Sequence, residues 1–344
     1  MRHINIPIFI PHLGCPNQCI FCNQRYISGT IAFREDSAEE TILEVLSTVN
    51  KDDECEIAFF GGSFTGIDRD LMIRLLDTAE KYVKAGKITG IRMSTRPDYI
   101  NEEIIEILKG YTVNCVELGI QSMNDNVLGY LKRGHTVKDT VNAINMLNQA
   151  SIPFVGQMMV GLPSARSEDE IYCAEQICKY GACAARIYPT LVFNNTELKE
   201  ITVKGEYIPL TLDEAVIRSR DVLEVFVKNG VECIRIGLCE SDNLHADDTF
   251  YKGPNHPSIG EMVKSALYLK IVEKKIPANC GEALIIKCPK GATSQIVGNK
   301  KKNTNYLMSK YGFKKVQVIE DNNLNPFDIE ILKKEEKTDV FKNS

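Results

Sequence analysis

The 344-residue chain carries 46 acidic residues against 41 lysines and arginines, a net charge of -5, and 44% of it is hydrophobic. That balance supports a large α/β core with a smaller appendage and excludes a broadly basic surface for nucleic acid or anionic membrane. The apolar opening, residues 3–10, is too short and too soon broken by Pro7 for a signal peptide or a membrane span, so a cytoplasmic protein with no membrane partner is expected.

The first expected strand, 5–10, runs into Gly14-Cys15-Pro16-Asn17-Gln18-Cys19-Ile20-Phe21-Cys22-Asn23. The C-x3-C-x2-C spacing lets three thiolates converge on one iron-sulfur cube and leaves its fourth iron without a protein ligand. A closed structural site would need a fourth ligand, yet the next cysteine is Cys55 and the nearest histidine, His12, precedes the loop. The remaining cysteines, Cys173, Cys178 and Cys183 among them, read as reduced core residues of a chain without an export signal.

Further strands are expected at 56–60, 90–95, 115–119, 154–160 and 184–190, and helices at 37–48, 69–84, 102–109, 137–149 and 168–179, with Asp36 and Thr136 as N-caps. This alternation predicts an α/β fold, a partial (βα)6 TIM-like barrel, whose working residues lie after the C-terminal ends of the strands. Gly61 and Gly62 follow the second strand, where bare backbone lets a ligand approach closely. Then come a helix at 211–228, a strand at 231–238, a loop at 241–257, a helix at 261–273 and a small α/β module built from 283–287, 303–311 and 315–319. The expected division is a core over 1–240, a C-terminal module over 241–332 and a frayed tail over 333–344. Lys300, Lys301, Lys302, Lys310, Lys314 and Lys315 sit among Tyr306, Tyr311 and Phe313 with no acidic residue between 298 and 315, a stretch suited either to phosphate contact or to a solvated helix and turn.

The cysteine spacing, with aromatic Phe21 just before the third cysteine, resembles the signature of the radical S-adenosylmethionine (SAM) enzymes. The resemblance implies a [4Fe-4S] cluster on Cys15, Cys19 and Cys22 whose open iron chelates SAM, reductive cleavage of SAM to a 5'-deoxyadenosyl radical, and an electron donor such as ferredoxin or flavodoxin. By the same analogy Phe21, Gly61, Gly62, Thr95, Gln121, Arg133 and Gln157 are the cofactor-binding residues, with Arg133 pairing with the SAM carboxylate. Arg96, Tyr99, His135 and Tyr188 are the candidates on the substrate side. Thr95-Arg96-Pro97-Asp98-Tyr99, Glu117-Leu118-Gly119-Ile120-Gln121-Ser122, Arg133-Gly134-His135-Thr136 and Tyr188-Pro189-Thr190-Leu191-Val192 follow one another as in the catalytic subunit of Elongator, without the acetyltransferase domain expected after residue 240. That narrower resemblance implies a tRNA or RNA substrate. A small-molecule or tetrapyrrole substrate, as in coproporphyrinogen oxidases, and a non-catalytic iron-sulfur or zinc protein are the alternatives.

Overall fold

A computed structural model describes residues 3–10, 13–15, 19–23, 33–50, 52–238, 249–277 and 282–332. His12, Pro16, Asn17 and Gln18 of the cysteine run, positions 241–248 of the expected loop and the tail from 333 lie outside the described residues. In chain order the first elements are β1 (His3–Phe9), α1 (Asp36–Leu46), β2 (Glu54–Phe60), α2 (Arg69–Lys84), β3 (Gly90–Thr95), α3 (Glu102–Lys109) and β4 (Val113–Gln121). They continue as α4 (Asp125–Tyr130), α5 (Val137–Gln149), β5 (Phe154–Val160), α6 (Ser167–Lys179), β6 (Ala184–Pro189), β7 (Val192–Phe193), α7 (Glu197–Val203), α8 (Leu212–Lys228) and β8 (Glu232–Ile236). The last are β9 (Phe250–Lys252), α9 (Ile259–Lys275), β10 (Ala283–Pro289), α10 (Thr293–Val297), α11 (Lys302–Tyr311), β11 (Lys315–Asp321) and β12 (Glu330–Leu332).

Seven strands form one parallel sheet in the order β1-β2-β3-β4-β5-β6-β8, curled into a partial barrel. The barrel is thus one strand larger than six βα units provide, because the run expected as a further strand joins the sheet beside β6. Apolar residues on the outer sheet face, such as Ile57, Ile91, Val116, Phe154 and Ile187, pack against the helices in one continuous core.

Helix starts follow local hydrogen bonding. Thr136 caps α5 through a reciprocal bond with Asp139, and Asp68 and Asn101 accept from backbone N–H groups of α2 and α3. Asp36, expected as a cap, is instead the first residue of α1. The preceding Glu35 already has helical angles, and its carboxylate is held by Arg74 at 2.7 Å.

Helix α9 joins two cores. Ile259, Val263 and Leu267 belong to the barrel core, whereas Tyr268 and Val272 pack under the three-stranded sheet β11-β10-β12 with Leu284, Ile286 and Leu307. Lys270 and Lys274 also reach Glu224 on α8 at 2.7 and 2.6 Å. No helix among the described residues is long and apolar enough to cross a membrane.

Candidate active site

The site is built from strand ends. After β1, Ile10 N–H donates to Phe60 O on β2 at 2.7 Å, which directs the cysteine loop across the turn that follows β2. Residues 13–15 lie directly on that turn. A Cβ on Gly14 would fall 2.2 Å from Ser63 O, and one on Gly62 would fall 2.5 Å from Leu13 O. Gly62 therefore serves the docking of backbone on backbone, while Gly61 turns the chain at φ 95°.

Cys15 Sγ then stands 3.6 Å from Ser63 Oγ. The segment carrying Cys19 and Cys22 is fastened from two sides, by Ile20 N–H to Leu131 O at 3.2 Å and by Leu198 N–H to Ile20 O at 2.8 Å. Ile20 is buried with Val127, Leu131, Leu162 and Leu198, and Phe21 packs half-buried against that group.

All three cysteines line one cavity of about 970 Å³ on the inner face of the barrel. Phe21, Gly61, Gly62, Thr95, Arg96, Gln121, Arg133, Gln157 and Tyr188 line it with them. Arg133 donates to Cys19 Sγ at 3.4 Å and to Gly119 O at 2.9 Å. A Cβ on Gly119 would lie 2.8 Å from that guanidinium, so the missing side chain makes its room. Gln121 is buried in a left-handed conformation, φ 64°, which a glutamine rarely adopts. Gln121 Oε1, Arg133 Nε and Arg96 Nη1 are buried without a partner among the described residues. The Thr95 hydroxyl contacts Thr65 Oγ1 at 2.6 Å, and Thr65 gives its single proton to Tyr99 O at 3.0 Å. Thr95 must therefore donate to Thr65, and it faces the cavity only as an acceptor.

Two substrate-side candidates stand apart from the cavity lining. His135 is buried behind it, where desolvation and the neighbouring Arg133 push its pKa down to about 3 and keep the imidazole neutral. Tyr99 packs against Gly66 and under the Arg96 guanidinium, 5.8 Å from its ring. Arg96 itself is clamped by Asp98 at 2.9 and 2.8 Å.

The inner wall also holds a charge network that the motifs did not single out. Arg92 bridges Glu56 at 3.1 Å and Glu117 at 3.2 Å, and Arg186 reaches Glu117 at 2.6 Å. Arg186 further donates to the Tyr188 hydroxyl at 3.2 Å and lies over the Phe60 ring at 5.7 Å. The available signal was a charge at an inward position of an otherwise apolar parallel strand, which only a polar interior accommodates. Of the C-terminal lysines, Lys310 is paired with Glu273 at 2.8 Å and Lys314 with Glu282 at 2.7 Å.

The chain matches the radical SAM superfamily over residues 9–172 and the radical SAM C-terminal domain over residues 183–268. It is 30% identical over 224 residues to the uncharacterized protein MJ0486 of Methanocaldococcus jannaschii, covering 61% of this chain and 67% of that one. The chain belongs to the radical SAM superfamily. It is a radical SAM enzyme, and the cofactors of that chemistry are a [4Fe-4S] cluster and SAM. It is also 32% identical over 181 residues to the tRNA uridine(34) acetyltransferase of the same archaeon, which covers 47% of this chain but 34% of the acetyltransferase. Among solved structures, the archaeal Elp3 of Methanocaldococcus infernus, lacking its N-terminal residues 1–46, superposes with a TM-score of 0.61 at 22% identity, over 80% of this chain and 64% of that one. At that identity the likeness concerns the fold.

Proposed function

We propose that Cys15, Cys19 and Cys22 hold the [4Fe-4S] cluster, that SAM lies across the ends of β2 to β5, and that the hydrogen abstracted belongs to an RNA, in the manner of a tRNA-modifying enzyme. The observation that carries the cofactor assignment is the convergence on one cavity of three thiols with Arg96, Gln121 and Arg133, each of which keeps one buried polar atom without a partner among the described residues. This donor set fits a thiolate-held cluster with an amino-acid ligand beside it.

When bound, the cluster supplies the electron that cleaves SAM to methionine and a 5'-deoxyadenosyl radical. Arg133, anchored on Gly119 O, presents its fork to the SAM carboxylate. Thr95, restricted to accepting, receives a ribose hydroxyl, and Gln121 and Gln157 orient the adenosine. Met159, Leu191 and Phe193 contribute apolar wall that excludes water from the reacting centre.

The RNA clause rests on the relationship to a tRNA uridine(34) acetyltransferase and on Lys300, Lys301 and Lys302, which stand in or beside the N-terminal turn of α11 with no acidic residue in that turn. Anaerobically reconstituted protein, reduced with SAM present, is expected to form 5'-deoxyadenosine and to lose that activity in Cys19→Ala. Retention of cleavage in Cys19→Ala would overturn the cluster assignment. Supplied with total RNA in parallel with a small-metabolite pool, the enzyme should return deuterium from labelled RNA into 5'-deoxyadenosine. Label arriving only from the metabolites would replace the RNA clause with a small-molecule substrate.

A further inference from the structure

Among the described residues five arginines line the cavity, and four have clear counterparts. Arg92 pairs with Glu56 and shares Glu117 with Arg186, Arg96 holds Asp98, and Arg133 is fixed between Cys19 and Gly119 O. Arg235, half-buried on β8, has no acceptor for its guanidinium among the described residues. Its place in the sheet sharpens the imbalance. Arg186 on β6 and Arg235 on β8 are register partners, so two like charges stand side by side on neighbouring parallel strands. Such a pair is destabilising unless an anion sits between its members. Arg186 Nε is buried and also lacks a partner, while Glu117, Tyr188 and the Phe60 ring fix the rest of that guanidinium. The register row continues through Gln157 on β5, which places Arg235 two strands, about 10 Å, from Gln157.

We propose that Arg186 and Arg235 form an oxyanion-binding subsite at the β6–β8 wall of the cavity, and that the substrate carries a phosphate or carboxylate group that docks there. The proposal rests on the reading that SAM occupies the strand ends from β2 to β5, because that reading assigns Arg133 to the SAM carboxylate and leaves the Arg186–Arg235 pair for the substrate. The Arg235 guanidinium fork and the remaining Nε–H of Arg186 together match an oxyanion from two directions. The volume, about 970 Å³, lies at the upper end of small-molecule sites, roughly 300–1,000 Å³, and accommodates a second ligand beside the first.

The test uses the full chain with its cluster reconstituted, SAM at saturation and no reductant, so that the Arg133 region is filled. Radiolabelled inorganic phosphate and succinate are the probes, read by equilibrium dialysis. One probe should bind saturably at one equivalent, about 10-fold or more weaker in Arg235→Gln, the scale expected for losing a charge-assisted bidentate contact. Arg235→Lys should fall between wild type and Arg235→Gln, and it serves alone if the glutamine variant does not fold. Preference for phosphate identifies the source as a nucleotide or RNA phosphate, and preference for succinate identifies a carboxylate substrate. Absence of saturable binding by either probe, or equal binding in the Arg235 variants, overturns the subsite. Reducing the same preparation and measuring 5'-deoxyadenosine separates the two failures. Cleavage without anion binding sinks only this subsite, whereas no cleavage sinks the SAM reading beneath it.

Discussion

In the proposed site Arg133 is the side chain that anchors SAM, because its guanidinium is buried, held by Gly119 O and directed at Cys19. Arg133→Ala is expected to weaken SAM binding to unreduced, cluster-loaded protein by about 10- to 100-fold, corresponding to ~1.5–3 kcal/mol for a hydrogen bond to a charged group. Unchanged affinity in equilibrium dialysis would remove it from the site. His135 gives a prediction of a different kind. Its folded pKa, about 3, lies below the ordinary 6.5, so the unfolded chain binds the proton first. The stability it contributes is complete above about pH 6.5 and is lost as pH falls toward 3, at up to about 1.4 kcal/mol per pH unit. Urea titrations of His135→Leu should show a flatter dependence of stability on pH between 6.5 and 4, and a slope equal to wild type would contradict the burial argument. At this scale the sequence already pointed to residues that the fold brings to one cavity, the three cysteines through their close spacing and Arg133 through a contiguous motif. Arg92, Arg186 and Arg235 were not legible, since Arg92 meets Arg186 only through their common partner Glu117, and Arg186 meets Arg235 only through the register of β6 with β8, across strands distant in sequence.

Between elements, the decisive contact is the cysteine loop lying on the turn after β2. Gly62→Ala would push a Cβ to 2.5 Å from Leu13 O and 2.8 Å from Ile10 O, both backbone atoms that cannot rotate away. The expected result is loss of most iron and sulfide on reconstitution with the far-ultraviolet circular dichroism spectrum retained, and full iron content would refute it. The long helices and central strands were readable because their periodicity is strong and their caps are local, as with Thr136 and Asp139 in α5. The short β7 and β9 were not, because a ladder joining Val192 to Lys252 is decided by tertiary contacts rather than by either segment alone. The extra strand β8 was visible as an apolar run, but its parallel place beside β6, and with it the position of Arg235, emerged only from the assembled sheet.

For the molecule as a whole, α9 ties the barrel core to the C-terminal sheet. Leu267, fully buried on its barrel face, and Val272, buried toward the small sheet, stand little more than one turn apart on the same helix. Leu267→Ala should cost ~2–5 kcal/mol and shift a single urea transition seen alike by circular dichroism and tyrosine fluorescence. Two separated transitions would show that the cores unfold independently. The partial barrel also has two ends that do not meet. Strands β1 and β8 are the outermost members of the sheet, and both send side chains into the same hollow, with Phe9 and Ile234 still exposed at its borders. Among the described residues no strand bridges β1 and β8, so the hollow is open along this flank as well as at its mouth. The dimensions of the hollow therefore limit only the portion of a reactant that enters, so a long polymer can slide one unit inward while its bulk stays in solvent.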